Sequence, residues 1–117
     1  MKKLAYAALG IVATALAITV VVTYHSSWWP LVVFAILPDL SFLFGMSSGL
    51  ARGQLHPRAV PIYNALHRYW VPVALIGVTF ILQSPEYLAA GLAWTAHISF
   101  DRSLGFGLRT REGFQRT

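Results

Sequence analysis

Four side chains hold most of the chemistry available to this sequence: Asp39, His67, His97 and Asp101. His97 and Asp101 are four residues apart, a spacing that puts both on one face of a helix, and Asn64 stands three before His67 with the same consequence. Asp39 lies in Leu37-Pro38-Asp39-Leu40-Ser41, where the proline removes a backbone donor and leaves carbonyls without their helical partner. Two imidazoles and two carboxylates make an N,O donor set without sulfur, suited to one divalent zinc, iron or manganese ion. Three such ligands and a water leave the open position that hydrolytic metal chemistry uses. The same residues have a plainer reading, in which the histidines are hydrogen-bonded packing groups and Asp101 neutralises Arg68, Arg102 or His97. The chain has no cysteine, which removes disulfides, thiolate metal sites and a cysteine nucleophile together.

These residues are set in a chain of 117 residues that is 56% hydrophobic and 11% charged, with a mean hydropathy of +0.60. A typical soluble domain has roughly 25% charged residues, and a soluble globule of this size would leave much of this apolar sequence wet. A membrane-spanning helix needs about 20 mostly apolar residues, and four stretches qualify: Leu4 to Thr23, Trp28 to Leu50, Ala59 to Leu82 and Tyr87 to Leu108. Between the last two, Ser84 suits an N-cap, Pro85 the first helical position and Glu86 the first turn. Short connections imply antiparallel neighbours. The expectation is an all-α protein, an integral membrane four-helix antiparallel bundle, with residues 1–117 forming a single four-span transmembrane domain.

Charge sets the orientation. With four crossings, Lys2, Lys3, Arg52, Arg58, Arg109, Arg111 and Arg116 fall on one side, and the two short loops on the other contain no Lys or Arg. This positive-inside pattern places both termini in the cytoplasm and the chain in a bacterial cytoplasmic (inner) membrane. The formal charge of +5 is therefore topological, with no basic face for nucleic acid, although a basic cytoplasmic surface attracts anionic lipid head groups. Met1-Lys2-Lys3 followed by an apolar run ending near Ala15-Leu16-Ala17 also resembles a secretory signal peptide. Against that, the run continues to Val22, a length that suits a span.

Charged groups inside a span face the bundle interior and mark function. Counted from the cytoplasmic ends, Asp39, His67 and His97 fall at roughly 12–17 Å depth at 1.5 Å per residue. Asn64 and Asp101 should form a second layer one turn nearer the cytoplasm, with Arg68 and Arg102 supporting the pocket. The two layers open toward the cytoplasm. In Asp101-Arg102-Ser103-Leu104-Gly105-Phe106-Gly107-Leu108-Arg109 a glycine C-cap is one expectation, and a turn in which Arg109 receives a phosphate or lipid head group is the other. Trp28, Trp29, Trp70 and Trp94 read as membrane-interface and packing residues, and His25 and His56 fall in loops.

Leu37-Pro38-Asp39-Leu40-Ser41, Tyr63-Asn64-x-x-His67 and Ala96-His97-Ile98-x-x-Asp101-Arg102-x-x-Gly105-Phe106-Gly107-Leu108-Arg109 together resemble a small bacterial integral-membrane family, the domain of unknown function number 4260. The resemblance covers nearly the whole chain; Phe106 and Arg109 stand where the family pattern expects Tyr and Lys. It implies four spans and supplies no activity. A more distant similarity, to membrane-bound predicted metal-dependent hydrolases, implies a metal at Asp39, His67, His97 and Asp101, although this chain lacks that group's extra His-rich elements.

Three functions follow. One is a metal site acting on a lipid-linked substrate. Another is a non-enzymatic subunit of a larger membrane assembly, or a homo-oligomer, whose polar cluster fixes helix register. The third is a haem between His67 and His97, or a proton relay through His97 and Asp101.

Overall fold

The computed structural model describes residues 2–116, and its regular structure is entirely helical apart from one isolated antiparallel bridge between Arg109 and Gln115. The helices are α1 (Lys2–Tyr24), α2 (Trp29–Ile36), α3 (Ser41–Gly45), α4 (Val60–Leu66), α5 (Trp70–Leu82) and α6 (Pro85–Ser103). Short 3-10 turns at Leu37–Leu40 and Pro57–Ala59 join α2 to α3 and lead into α4.

α6 is the central element, and α1, α2 and α5 all pack along it. Its buried face is Ala89, Ala90, Gly91, Ala93, Ala96 and Ser99, small residues that let neighbouring backbones come close. α1 answers with Gly10, Ala13, Ala17 and Val21. Directions follow from the pairings. A Cβ on Gly10 would meet Phe100, and Ala17 and Val21 cluster with Ala89, so α1 runs against α6. Trp29 meets Tyr87 while His97 bonds Ala35, so α2 runs with it. Ser84 caps α6 by accepting from the Tyr87 N–H, with Pro85 and Glu86 following in the first turn.

Three of the four expected stretches need correction. The second stretch loses its helix at Gly45 rather than Leu50. The third is not continuous: α4 and α5 meet at a 44° bend across His67, Arg68 and Tyr69. Pro72 is the physical reason, because it has no N–H to give the Arg68 carbonyl and its ring collides with that group in a straight helix. The fourth stretch ends at Ser103, where Phe106 donates to the Asp101 carbonyl at 2.8 Å and Gly105, at φ 93°, donates to that of Arg102 at 3.2 Å. That pair of bonds is the Schellman C-cap, which requires the left-handed residue.

The remaining tail, residues 104–116, folds back on the loop before α4. Leu55 N–H donates to the Gly113 carbonyl at 2.9 Å, and Gln54 Nε2 to that of Glu112 at 2.8 Å. Gly113 has φ 106° and lies against the Leu55 backbone, so no side chain fits there. Among the described residues, α1 is the one helix long and apolar enough by itself to cross a membrane, Pro57–Leu66 and Trp70–Leu82 meet the same test jointly across their bend, and the apolar Trp29–Gly45 segment is shorter.

Candidate metal centre

Asp39, His67, His97 and Asp101 converge. One ligand atom from each lies within 4.8 Å of all the others. His67 Nε2 is 3.2 Å from Asp101 Oδ2 and 3.6 Å from Asp39 Oδ1. His97 Nε2 is 3.2 Å from both of those oxygens. A tetrahedral ion with ligands at roughly 2.0–2.2 Å sets its donor atoms roughly 3.3–3.6 Å apart; of the four nitrogen–oxygen separations here one is 3.6 Å and three are 3.2 Å, at the short edge of that spacing.

Two interruptions of regular helix and one unbroken helix bring the donors together. Pro38 breaks the α-ladder at the end of α2, and the Ala35 carbonyl accepts His97 Nδ1–H at 2.7 Å. Asp39 follows in the 3-10 turn, and Ser41 Oγ restores a partner to the Pro38 carbonyl at 2.9 Å. His67 is the C-cap of α4, and its Nδ1–H donates to the Tyr63 carbonyl at 2.8 Å. The next orphan carbonyls are met from α6, Leu66 by Trp94 Nε1–H at 2.7 Å and His67 by Arg102 Nη2 at 3.5 Å. α6 is unbroken and contributes two donors on one face.

A backbone carbonyl can only accept, so each Nδ1 must hold a proton. In the neutral imidazole each Nε2 is then a bare lone pair aimed at carboxylate oxygens. His67 Nε2 is buried and makes no hydrogen bond. A proton on one Nε2 or a metal ion among the four relieves the repulsion between these acceptors; His97 Nε2 already lies 3.2 Å from Asp39 Oδ1, and backbone bonds that fix the far nitrogen are the usual outer support of metal-bound histidine. The donor set thus fits one divalent ion of the zinc, iron or manganese class. The His67 side chain is 2% exposed and that of Asp39 49%, so Asp39 is the most accessible of the four.

The expected layering changes in one respect. Asp101 shares a layer with the other three, and Asn64 stands outside it. Asn64 Oδ1 accepts from the Arg109 N–H at 2.7 Å and its Nδ2 donates to the Arg109 carbonyl at 3.0 Å, a backbone-like pair that fastens the tail. Arg109 is itself buried, with Nη1 donating to the Gly113 carbonyl at 2.7 Å and the guanidinium 4.9 Å above the Tyr63 ring. Its charge is engaged within the chain rather than offered to a head group. Arg102 lies between the rings of Tyr6 and Tyr69, at 5.7 and 4.8 Å, and Arg68 is exposed. Tyr63 was not among the expected residues; its ring stacks on His67 at 4.0 Å and its carbonyl fixes that imidazole. His56 takes a structural part, accepting from the Arg58 N–H to cap the turn before α4.

An all-helical fold built on one central helix, with a His/Asp cluster at its helix breaks, defines the kind of protein this is. The chain belongs to the family described as domain of unknown function DUF4260, whose pattern matches residues 4–117. No curated protein and no solved structure matches it, so the likeness to metal-dependent hydrolases has no matched relative behind it.

Proposed function

We propose that this is a four-span inner-membrane protein that holds one divalent metal ion at Asp39, His67, His97 and Asp101 and uses it to hydrolyse a lipid-linked substrate. The observation that carries the metal reading is the meeting of two Nε2 lone pairs with two carboxylates, each imidazole fixed by a carbonyl on its far side. When bound, such an ion supplies a Lewis acid and acidifies a coordinated water. His67, His97 and Asp101 are the inner ligands. Asp39, the most exposed of the four, would be the ligand that gives way to a water and would take up its proton.

The outer surface supports the membrane reading. Ile81 is 81% exposed, and Phe80, Leu82, Trp70, Leu43 and Ile11 stand out with it. An apolar surface of that extent marks contact with lipid or a partner. α6, with His97, Asp101 and Arg102, is the least apolar helix because its neighbours shield it. Charge supports the orientation: Lys3 approaches Gly105, and the loop with Arg52 and Arg58 binds the tail with Arg109 and Arg111, so the basic groups gather at one end.

The test is metal content. Protein purified in detergent without a metal-binding tag should contain about one ion per chain by elemental mass spectrometry, as one four-donor site requires, and the His97→Ala variant should contain none. A folded preparation free of metal that takes up none on addition overturns the assignment and favours a non-enzymatic subunit.

A further inference from the structure

We propose that the cleft between α1 and α2 admits a single-chain neutral lipid sideways and brings its polar end to His97 and Asp101. The inference rests on the metal-centre reading and adds to it a substrate class and a route.

α1 and α2 both lie along α6, and a cavity of about 230 Å³ remains among the three. Ala17 of α1, Ala35 of α2, and Ala93 and Ala96 of α6 line it, together with the His97 and Asp101 side chains. No other ionisable side chain lines it. Thr14, also on the wall, spends its hydroxyl on the Gly10 carbonyl at 2.8 Å, and the Ala35 carbonyl is taken by His97. The cavity is therefore an apolar slot with a reactive end.

Three observations select the occupant. Four alanines and the Phe100 ring make up the walls apart from Thr14, which leaves a helix-to-helix groove that offers a chain apolar contact. The volume falls below the roughly 300–1,000 Å³ of drug-sized ligand sites, room for the part of one hydrocarbon chain next to the polar end and too little for two. The flanks are membrane-like: Ile11 and Ile18 lie one turn either side of Thr14, Val32 one turn before Ala35, and all three are exposed. An occupant reaches the slot from the surrounding apolar phase. Asp101 at the reactive end and Asp39 behind His97 balance the charge of a bound divalent ion, so the site calls for no charge on its occupant and the polar end is a neutral ester or amide.

The probe is a monoacylglycerol with a diazirine on its chain, added to zinc-loaded protein in phosphatidylcholine nanodiscs, photoactivated and mapped by peptide mass spectrometry. Adducts should concentrate on the peptides holding Thr14, Ala35 and Ala93, disappear with excess unlabelled monoacylglycerol, and be lost in Ala35→Phe, with Ala35→Leu as a milder plug. Zinc content, measured on the same samples, reports that the variants are folded. Labelling spread equally over α5 around Phe80, or undiminished by competitor, overturns the proposal. Competed labelling of the slot in protein that takes up no zinc supports the lipid route and overturns the metal centre, so the two failures are distinguishable.

Discussion

His67 and His97 are oriented by main-chain carbonyls, so their side-chain neighbours can be changed without releasing them. Tyr63→Phe removes the hydroxyl that accepts from Gln115 Nε2 at 3.1 Å but keeps the carbonyl that holds His67. It should cost about 1 kcal/mol of stability in a thermal melt and leave metal content unchanged, whereas His67→Ala should abolish retention. Acid should also strip the ion, because imidazole ligates only when neutral and protons compete with the ion for Nε2; retention after dialysis should fall as pH is lowered. All four donors were legible because ionisable groups are rare in this composition and His97 and Asp101 have helical spacing. Asn64 was not, since its partner is the Arg109 main chain and no local spacing signals a backbone-like pair 45 residues away. Asn64→Ala leaves that N–H and carbonyl unpaired, at about 1–3 kcal/mol, and should expose the tail to limited proteolysis.

A proline stands beside each helix interruption that supplies a ligand. Pro38 precedes Asp39 directly, and Pro72 forces the bend after His67. Pro38→Ala returns an N–H to α2 and lets the helix run on, carrying Asp39 and the Ala35 carbonyl away from His97. Metal affinity should fall by about 10–100-fold, the usual loss when the outer support of a ligand is removed, while circular dichroism shows helix content kept or raised. An unchanged affinity would mean that the 3-10 turn is dispensable. The start of α6 was readable from Ser84, Pro85 and Glu86, and its end from Gly105. The bend between α4 and α5 was missed because the stretch as a whole stays apolar enough for one span, although His67, Arg68 and Pro72 were the available signals.

Across the whole molecule, basic residues collect at one end and the two short connections at the other contain none. That division predicts sidedness, and a chain without cysteine is ready for the measurement. Ser27→Cys should react with an impermeant maleimide from the periplasmic side of intact cells, and Arg111→Cys only after the membrane is opened. Reaction of both from outside would reverse the orientation or remove the membrane reading. The helix order could not be read from span lengths, because nothing in an apolar run says which neighbour it touches; the small-residue face of α6 explains it afterwards.

The central place of α6 also has a bearing on biosynthesis. During translation α1, α2 and α5 emerge before the one helix that all three pack against, and two of the four donor residues emerge with it. A nascent chain that has not yet released His97 holds only one aspartate and one histidine of the four. Maturation of the site is thus postponed to the final helix, so an ion captured earlier by the growing chain would meet only half of its ligands.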